Sequence, residues 1–355
     1  MEGRSIRPLR GPAGRRKGQD WWSRRAAGLV IALASGACAS TVGSSRVDRL
    51  GLTQPHAAYV NEQLPGRVEA EEPVLMVLGA SWLEQDLRLS DRSVVFVDLP
   101  GRGKAAALRP RDVESARLED DLASLDALRT RLELDRVVLM GWSYHGGLAL
   151  RYALKHPQHV AGLVLVAPLP PRRAPYWEDF LGRMRLRTDP KALANLEAIR
   201  RADAKRRQPV DFCRAFTRLF VQSRSVDPAA ALARMRSEPC VLPNIDPELS
   251  GSLGRAIIDG LGFWDWRSDL PGLDLPVLIV HGSEDAYPLQ GSKEYAGAIP
   301  GARLLIIEDT GHLPWLEQPD EFDAALQRFL DSFQPEPSTK REPEQVDTAS
   351  GPVSD

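Results

Sequence analysis

The chain has little of what marks a metal, cofactor or nucleic-acid protein. Its 355 residues include three cysteines and six histidines, and these do not fall at the spacing of a metal site. The sequence contains no P-loop, no GxGxxG fingerprint and no internal repeat. A formal net charge of −2 disfavours nucleic acid and anionic membrane surfaces as partners. We therefore expect no metal, no cofactor and no nucleic-acid partner.

The sequence also lacks an apolar run long enough to span a bilayer, which takes about 20 residues. Its N-terminal run, AAGLVIALASGA, follows a segment 1–25 that carries eight Lys/Arg and two acids. A basic region, a short apolar region and small residues predict an export signal over 1–39. Cys38 would then be lipidated and attach the protein to a membrane, or cleavage would occur at the Ala37-Cys38-Ala39 site. We expect an exported protein of the cell envelope, lipid-anchored or otherwise periplasmic or secreted.

Two cysteines, Cys213 and Cys240, remain if Cys38 is lipidated or removed. In an oxidising compartment this even pair could form a disulfide. Two buried free thiols are the alternative, and the sequence does not decide between them.

Apolar runs alternate with helical patterns through most of the chain, in a composition typical of globular proteins, 43% hydrophobic and 26% charged. The predicted strands are 73–79, 93–103 with its final glycine-rich turn, 136–141, 162–168, 276–282 and 302–309. Helical spacing occupies 112–132, a segment before Pro157, and 322–333. Strands that are apolar on both faces predict an α/β fold with a mostly parallel sheet and helices on both faces.

The alternation stops over 169–268, which are rich in Arg, Ala and Leu with helical periods. We interpret this segment as a helical cap inserted into a core made of 56–168 and 269–333. Residues 40–55 are interpreted as a tether. The tail 334–355 has four prolines and few apolar residues, and its composition predicts disorder.

Ser143 lies in GWSYHGG, between the apolar run DRVVLM and the helical segment LALRYALKH. A serine hydroxyl is a weak nucleophile that needs a base within hydrogen-bonding reach and a third group that orients the base. At a strand–turn–helix corner a serine is exposed above the sheet edge, and the following helix directs backbone N–H groups to the same place. We therefore interpret Ser143 as a nucleophile.

Asp285 and His312 each follow a predicted strand, in HGSEDAYP and DTGHLPWLEQP. Open α/β sheets place their ligands at the carboxyl ends of the strands. The order serine, aspartate, histidine resembles the catalytic triad of the α/β-hydrolases, and the three motifs resemble that family's nucleophile elbow, acid turn and histidine loop over about 55–333. The resemblance implies acyl transfer to water, with Ser143 as nucleophile, His312 as base and Asp285 orienting the imidazole. Glu284 is a rival acid.

The sequence departs from the family pattern in two places. His145 stands where a small residue is usual, and it either lines the pocket or fits sideways with no catalytic part. The family usually has His-Gly after the first apolar strand, where this chain has Leu78-Gly79-Ala80. An oxyanion hole needs two backbone N–H groups, and we expect them from Tyr144 and Ala80.

The cap resembles that of the proline iminopeptidase-like branch of the family. That resemblance implies action on a small amide or peptide N-terminus, with a cap acid holding the free amine. Trp177, Glu178, Trp264 and His145 are the candidate substrate-binding residues, and Asp179 and Glu238 are further candidate acids. The alternatives are an exported carboxylesterase and a non-catalytic binding protein on a hydrolase fold.

Overall fold

The structure is a computed structural model that describes residues 58–63, 72–89, 92–206, 210–240 and 247–333. The predicted export signal with Cys38, the tether and the C-terminal tail lie outside the described residues. Within those ranges, no helix is long and apolar enough to cross a membrane.

The core is a seven-stranded sheet in the order β1-β3-β2-β4-β5-β6-β7. The strands are β1 (Tyr59–Gln63), β2 (Val74–Leu78), β3 (Val94–Asp98), β4 (Val137–Trp142), β5 (Val160–Val166), β6 (Val277–Gly282) and β7 (Arg303–Ile307). β1 pairs antiparallel with β3, and every other neighbouring pair is parallel. The predicted α/β class and mostly parallel sheet are therefore confirmed.

Helices cover the sheet and also form the insertion. They are α1 (Ala80–Leu83), α2 (Pro110–Ser115), α3 (Leu118–Arg131), α4 (Tyr144–Lys155), α5 (Tyr176–Arg187), α6 (Pro190–Arg206), α7 (Val210–Arg224), α8 (Pro228–Arg234), α9 (Pro247–Leu261), α10 (Leu289–Ala298), α11 (Pro314–Glu317) and α12 (Pro319–Asp331). Single 3₁₀ turns occupy Pro157–His159 and Leu270–Gly272.

The central strands explain why the sheet needs helices on both faces. β4 and β5 are buried at every position, and each pairs with parallel neighbours on both sides. Parallel strands are connected through crossovers that carry helices onto the faces of the sheet. The sheet thereby divides the core into two apolar clusters, one on each side.

The single helical segment predicted over 112–132 is two helices in the structure. Ala116 and Arg117 are extended, with ψ angles of 137° and 163°. The Asp120 carboxylate accepts a hydrogen bond from the Arg117 N–H at 2.8 Å, which caps the start of α3. The break between the two helices therefore comes from this N-cap hydrogen bond. It was not predicted because the helical spacing of the sequence continues across it.

Within the described part of the chain between β5 and β6, five helices, α5 to α9, form the insertion. The two ends of this insertion run side by side, because Arg172 and Asp265 form an antiparallel bridge and the Trp266 N–H donates to the Pro171 carbonyl at 2.8 Å. Cys213 and Cys240 form a disulfide within the insertion, with their Cα atoms 5.7 Å apart.

Candidate active site

Ser143 is held in a sharp corner between β4 and α4. Its backbone angles, φ 56° and ψ −120°, lie outside the conformations that a non-glycine residue adopts without strain. A Cβ atom at Gly141 would collide with the His145 carbonyl, so the approach of the elbow to the strand requires glycine there. The Ser143 residue is buried, with 5% of its surface exposed.

His312 and Asp285 are paired behind this corner. His312 Nδ1 lies 2.8 Å from Asp285 Oδ2, and Asp285 Oδ1 accepts a hydrogen bond from the Tyr287 N–H at 2.8 Å. Burial alone would raise the pKa of the Asp285 carboxyl, but the charge and hydrogen bond of His312 hold that pKa below its usual value. The carboxylate is therefore ionised and fixes which nitrogen of the imidazole faces away from it.

The Ser143 side chain lies close to the phenol of Tyr287. Among the described side chains, no hydrogen bond joins Ser143 to His312. Catalytic hydrogen bonds are often long or poorly aligned in a free enzyme and shorten when substrate binds. The Tyr287 ring lies 5.2 Å from the His312 ring, centroid to centroid, so all three side chains border the same space. Sequence reasoning missed Tyr287, although it stands in the acid-turn motif.

The two predicted oxyanion donors each begin a helix. Ala80 is the first residue of α1, after Gly79 at φ 92° and ψ 48°, and Tyr144 is the first residue of α4. The first N–H groups of a helix have no intrahelical acceptor. Both backbone groups can therefore donate to an oxygen of a bound substrate.

The Tyr144 side chain anchors the elbow to the core. Its phenol donates to Asp121 Oδ2 at 2.7 Å, and Asp121 is also paired with the buried Arg102, whose Nη2 lies 2.6 Å from Oδ2. Burial and the Asp121 charge raise the pKa of the Tyr144 phenol, so it remains a neutral hydrogen-bond donor.

His145 is buried, with 1% of its surface exposed. Neither ring nitrogen has a hydrogen-bond partner among the residues that the structure describes. Its ring packs against Gly79, where an added Cβ would lie 3.1 Å from Nδ1. Burial, together with the Arg102 charge, lowers the pKa of His145 to about 3, so the imidazole is neutral near pH 7.

The histidine loop is fastened by a buried carboxylate that sequence reasoning did not single out. Glu317 accepts hydrogen bonds from the N–H groups of Gly311 and Leu313, on either side of His312, at 3.1 and 3.3 Å. It also accepts one from the Val226 N–H of the insertion at 2.7 Å. Glu317 therefore ties the loop of the base to the cap.

The backbone of His312 is held from two further sides. Its N–H donates to the Arg224 carbonyl at the end of α7, at 2.9 Å. Its carbonyl accepts from Trp142 Nε1 at 2.9 Å. The base is thus positioned by both the cap and the strand that carries the nucleophile.

The acid turn is held by a buried histidine and by the cap. His281 Nε2 lies 3.1 Å from the Tyr287 carbonyl, and its Nδ1 lies 2.8 Å from Ser292 Oγ. Arg183 and Arg187 of α5 donate to the carbonyls of residues 285 and 284, at 3.4 and 2.6 Å. His281 is therefore occupied in hydrogen bonds that shape the turn.

Residues 78–319 match a protein family described as the alpha/beta hydrolase fold. The chain belongs to this family. The AB hydrolase superfamily protein YclE of Bacillus subtilis is 30% identical over 278 residues, which cover 75% of this chain and 94% of YclE. The pimeloyl-acyl-carrier-protein methyl ester esterase of Aromatoleum aromaticum is 31% identical, over 63% of this chain and 81% of its own length. The proline iminopeptidase of Heyndrickxia coagulans is 27% identical, over 68% of this chain and 83% of its own length.

Solved structures agree with the fold of this hydrolase. An esterase from Thermogutta terrifontis superposes with a TM-score of 0.56 and 23% identity, over 78% of this chain and 94% of its own. The proline iminopeptidase of Mycobacterium smegmatis superposes with a TM-score of 0.54 and 21% identity, over 78% and 95%. The predicted family and its enzymatic character are confirmed: this is an alpha/beta hydrolase enzyme, with proline iminopeptidases among its relatives.

The candidate substrate-binding residues of the hydrolase fall into two groups. Trp177 and Trp264 are buried at the base of the cap, with ring centroids 5.9 Å apart, and Trp264 Nε1 donates to the Pro170 carbonyl. The structure does not bring Glu178 into this buried site. Its side chain is 55% exposed and forms an ion pair with Arg173 at 3.4 Å, because it lies on the outer face of α5.

Proposed function

We propose that this hydrolase transfers the acyl group of a substrate to water, with Ser143 as the nucleophile. The observation that carries this proposal is the buried His312–Asp285 pair at 2.8 Å, together with the strained backbone of Ser143, whose neighbour Trp142 donates to the His312 carbonyl. In this scheme His312 takes the Ser143 proton as the hydroxyl oxygen attacks the acyl carbon, and then gives it to the leaving group. Asp285 holds the imidazole and stabilises its charged form.

The N–H groups of Ala80 and Tyr144 would stabilise the oxyanion that forms during attack. They come from the starts of two different helices, so both donors are fixed before substrate binds. Donors that are already in place cost no reorganisation at the moment of reaction, and one such donor contributes about 10²- to 10³-fold in kcat.

We propose an ester with an apolar acyl group as the substrate. Aromatic side chains connect the cap to the triad. The Trp177 ring packs on the Phe180 ring, and Phe180 stacks on Tyr287 with a centroid distance of 4.2 Å. Among the described residues, the buried carboxylates near the elbow and the histidine loop already have partners. Asp98 is bonded to Ser81, Asp121 to Arg102, and Glu317 to backbone N–H groups. An ester needs no carboxylate to hold a free amine.

Hydrolysis of a peptide N-terminus or small amide, by a proline iminopeptidase-like activity, is the second candidate. It is supported by the 27% identity with a proline iminopeptidase over 249 residues. It requires an acid that receives the substrate amine, and the exposed, paired Glu178 is poorly placed for that role. Asp179 is also exposed, and Glu238 lies 3.8 Å from Arg214.

The test compares nitrophenyl esters of increasing acyl length with prolyl and alanyl nitroanilides, using the purified protein and a Ser143→Ala variant. We expect ester turnover that the variant loses, together with fluorophosphonate labelling of the wild type alone. Faster release from the nitroanilides would move the assignment to an aminopeptidase. Labelling or turnover that persists in Ser143→Ala would exclude Ser143 as the nucleophile.

We also propose that the protein is exported and anchored through a lipid on Cys38. The basic and apolar N-terminal segments support export, and a Cys213–Cys240 disulfide suits an oxidising compartment. Fractionation of cells that express the full chain should place it in the membrane fraction, and a Cys38→Ala variant should leave that fraction. Reduced Cys213 and Cys240 in the cellular protein, detected by alkylation and mass spectrometry, would count against export.

A further inference from the structure

Tyr287 is a tyrosine that packs against His312 and lies close to Ser143 in this hydrolase. Its phenol lies close to the Ser143 side chain, and only 7% of the residue is exposed. The ring also lies 5.2 Å from the ring of His312, at an angle of 47°. The phenol therefore borders the position where the bond between acyl carbon and leaving group would break.

The Tyr287 ring is fixed by contacts on both its backbone and its face. Its N–H donates to Asp285 Oδ1 at 2.8 Å, and its carbonyl lies 3.1 Å from His281 Nε2. Phe180 of the cap stacks on the ring with a centroid distance of 4.2 Å and an angle of 12°. These contacts set the direction of the hydroxyl before any substrate arrives, which is what an effective hydrogen-bond donor requires.

The backbone donors and the Tyr287 hydroxyl belong to different elements around the nucleophile. The backbone donors of Ala80 and Tyr144 belong to helix starts that follow β2 and β4. Tyr287 instead follows β6, beside the imidazole of His312. The leaving group must lie on the imidazole side, because His312 has to protonate it. A hydroxyl beside both Ser143 and His312 therefore belongs to the leaving-group side and not to the oxyanion hole.

We propose that Tyr287 is a catalytic residue whose hydroxyl donates a hydrogen bond to the leaving-group oxygen of an ester. This inference rests on the proposed acyl-transfer function, and it narrows the substrate class to esters of poorly activated alcohols. Such alcohols leave as strongly basic oxygens, so an extra donor lowers the barrier most for them. Nitrophenol, whose oxygen is weakly basic, needs little such help.

The step balances without a further reactant. Ser143 Oγ forms a bond to the acyl carbon while its proton passes to His312 Nε2, and the carbonyl electron pair moves to the oxyanion. The oxyanion then re-forms the carbonyl, the bond to the leaving oxygen breaks, and that oxygen takes the proton from His312 Nε2. Tyr287 keeps its own proton throughout. Burial raises the pKa of its phenol, so the donor stays protonated at neutral pH.

The experiment uses the full chain, a Tyr287→Phe variant, and two esters of the same acid, one ethyl and one p-nitrophenyl. Phenylalanine keeps the stack on Phe180 and removes only the hydroxyl. We expect kcat/KM to fall about 10- to 100-fold for the ethyl ester and less than about 3-fold for the p-nitrophenyl ester, in the range of one directed hydrogen bond. Tyr176→Phe is the control: the Tyr176 hydroxyl donates to Glu294 of α10 at 2.8 Å, and the variant should hydrolyse both esters at the wild-type kcat/KM.

Active-site titration with a fluorophosphonate counts the folded, reactive sites, so partial misfolding of Tyr287→Phe does not imitate the expected result. Equal losses on both esters would assign the hydroxyl to the oxyanion or to structure and would overturn the proposal, as would the absence of any loss. If the wild type shows no Ser143-dependent turnover of either ester, the proposed function itself fails. That outcome is distinguishable because it appears before any Tyr287 variant is compared.

Discussion

The ring of His145 packs against the backbone of Gly79, where a Cβ atom would lie 3.1 Å from Nδ1. The residue two places after the nucleophile therefore touches the loop that precedes Ala80, the second predicted oxyanion donor. The bulky histidine is accommodated because its neighbour across the site has no side chain.

Gly79→Ala should lower kcat strongly while lowering the thermal stability of the fold only moderately. Gly79 has φ 92°, so an alanine is strained there by about 1–3 kcal/mol, and its Cβ would press on His145. A shift of the loop would misplace the Ala80 N–H, and we expect kcat to fall at least about 10-fold. Thermal unfolding and ester kinetics measure the two effects. Gly182→Ala is the control, since a Cβ there meets nothing within 4 Å. An equal loss of kcat in Gly182→Ala would show that the effect at Gly79 does not come from its contact with His145.

His145→Leu should weaken the acid sensitivity of folding. The folded pKa is lowered to about 3 by burial, whereas the unfolded pKa is about 6.5. Between these values the unfolded chain binds a proton that the folded protein excludes, so the free energy of unfolding decreases as the pH falls, by up to about 1.4 kcal/mol per pH unit.

Denaturant unfolding of the wild type and His145→Leu between pH 3.5 and 7.5 measures this slope. The variant should show a smaller decrease, and at pH 7.5 it should be no less stable, because two buried nitrogens without partners are removed. The same slope in both proteins would mean that His145 is protonated in the folded state.

Asp285→Asn should reduce kcat by a factor on the order of 10³–10⁴, because the amide favours the wrong tautomer of the base. The carboxylate accepts from both His312 and the Tyr287 N–H, so the acid turn should keep its shape. Glu284→Gln is the matched control: it neutralises the adjacent, exposed acid and should change kcat less than about 3-fold, within the scatter of surface charge effects. A large loss in Glu284→Gln with a small one in Asp285→Asn would reverse the assignment.

Glu317→Gln should loosen the loop that carries the base. The carboxylate accepts from three backbone N–H groups, and the amide NH₂ would face donors in place of acceptors. Each buried donor left unpaired costs about 1–3 kcal/mol, so we expect the free energy of unfolding to fall by about 2 kcal/mol or more. Displacement of His312 should lower kcat by up to about 100-fold and leave KM nearly unchanged.

Stopped assays over a range of ester concentrations separate kcat from KM for Glu317→Gln. Glu321→Gln, in the first turn of α12 and exposed to solvent, removes a similar charge away from the loop and should behave like the wild type. A rise in KM at constant kcat would show that Glu317 acts on substrate binding and not on the position of His312.

Local sequence patterns were sufficient to predict six strands of the sheet and the position of Ser143 between a strand and a helix. A continuous apolar run indicates a strand that is buried on both of its faces, and this can be recognised from the segment's own sequence. β1 was missed because its sequence, YVNEQ, is polar at three of five positions and lies at the sheet edge. An edge strand that is partly exposed does not need an apolar run.

The tertiary structure decided what surrounds the nucleophile. The hydrogen bond of His312 with Asp285, the proximity of Tyr287 to Ser143, and the contact of His145 with Gly79 join residues far apart in the chain. Sequence periodicity identifies which side chains are buried, but packing of one element on another determines which of them meet. For the same reason Glu178, a plausible amine ligand in the sequence, lies on the outer face of its helix, whereas Glu317 is the carboxylate that the active-site loop needs.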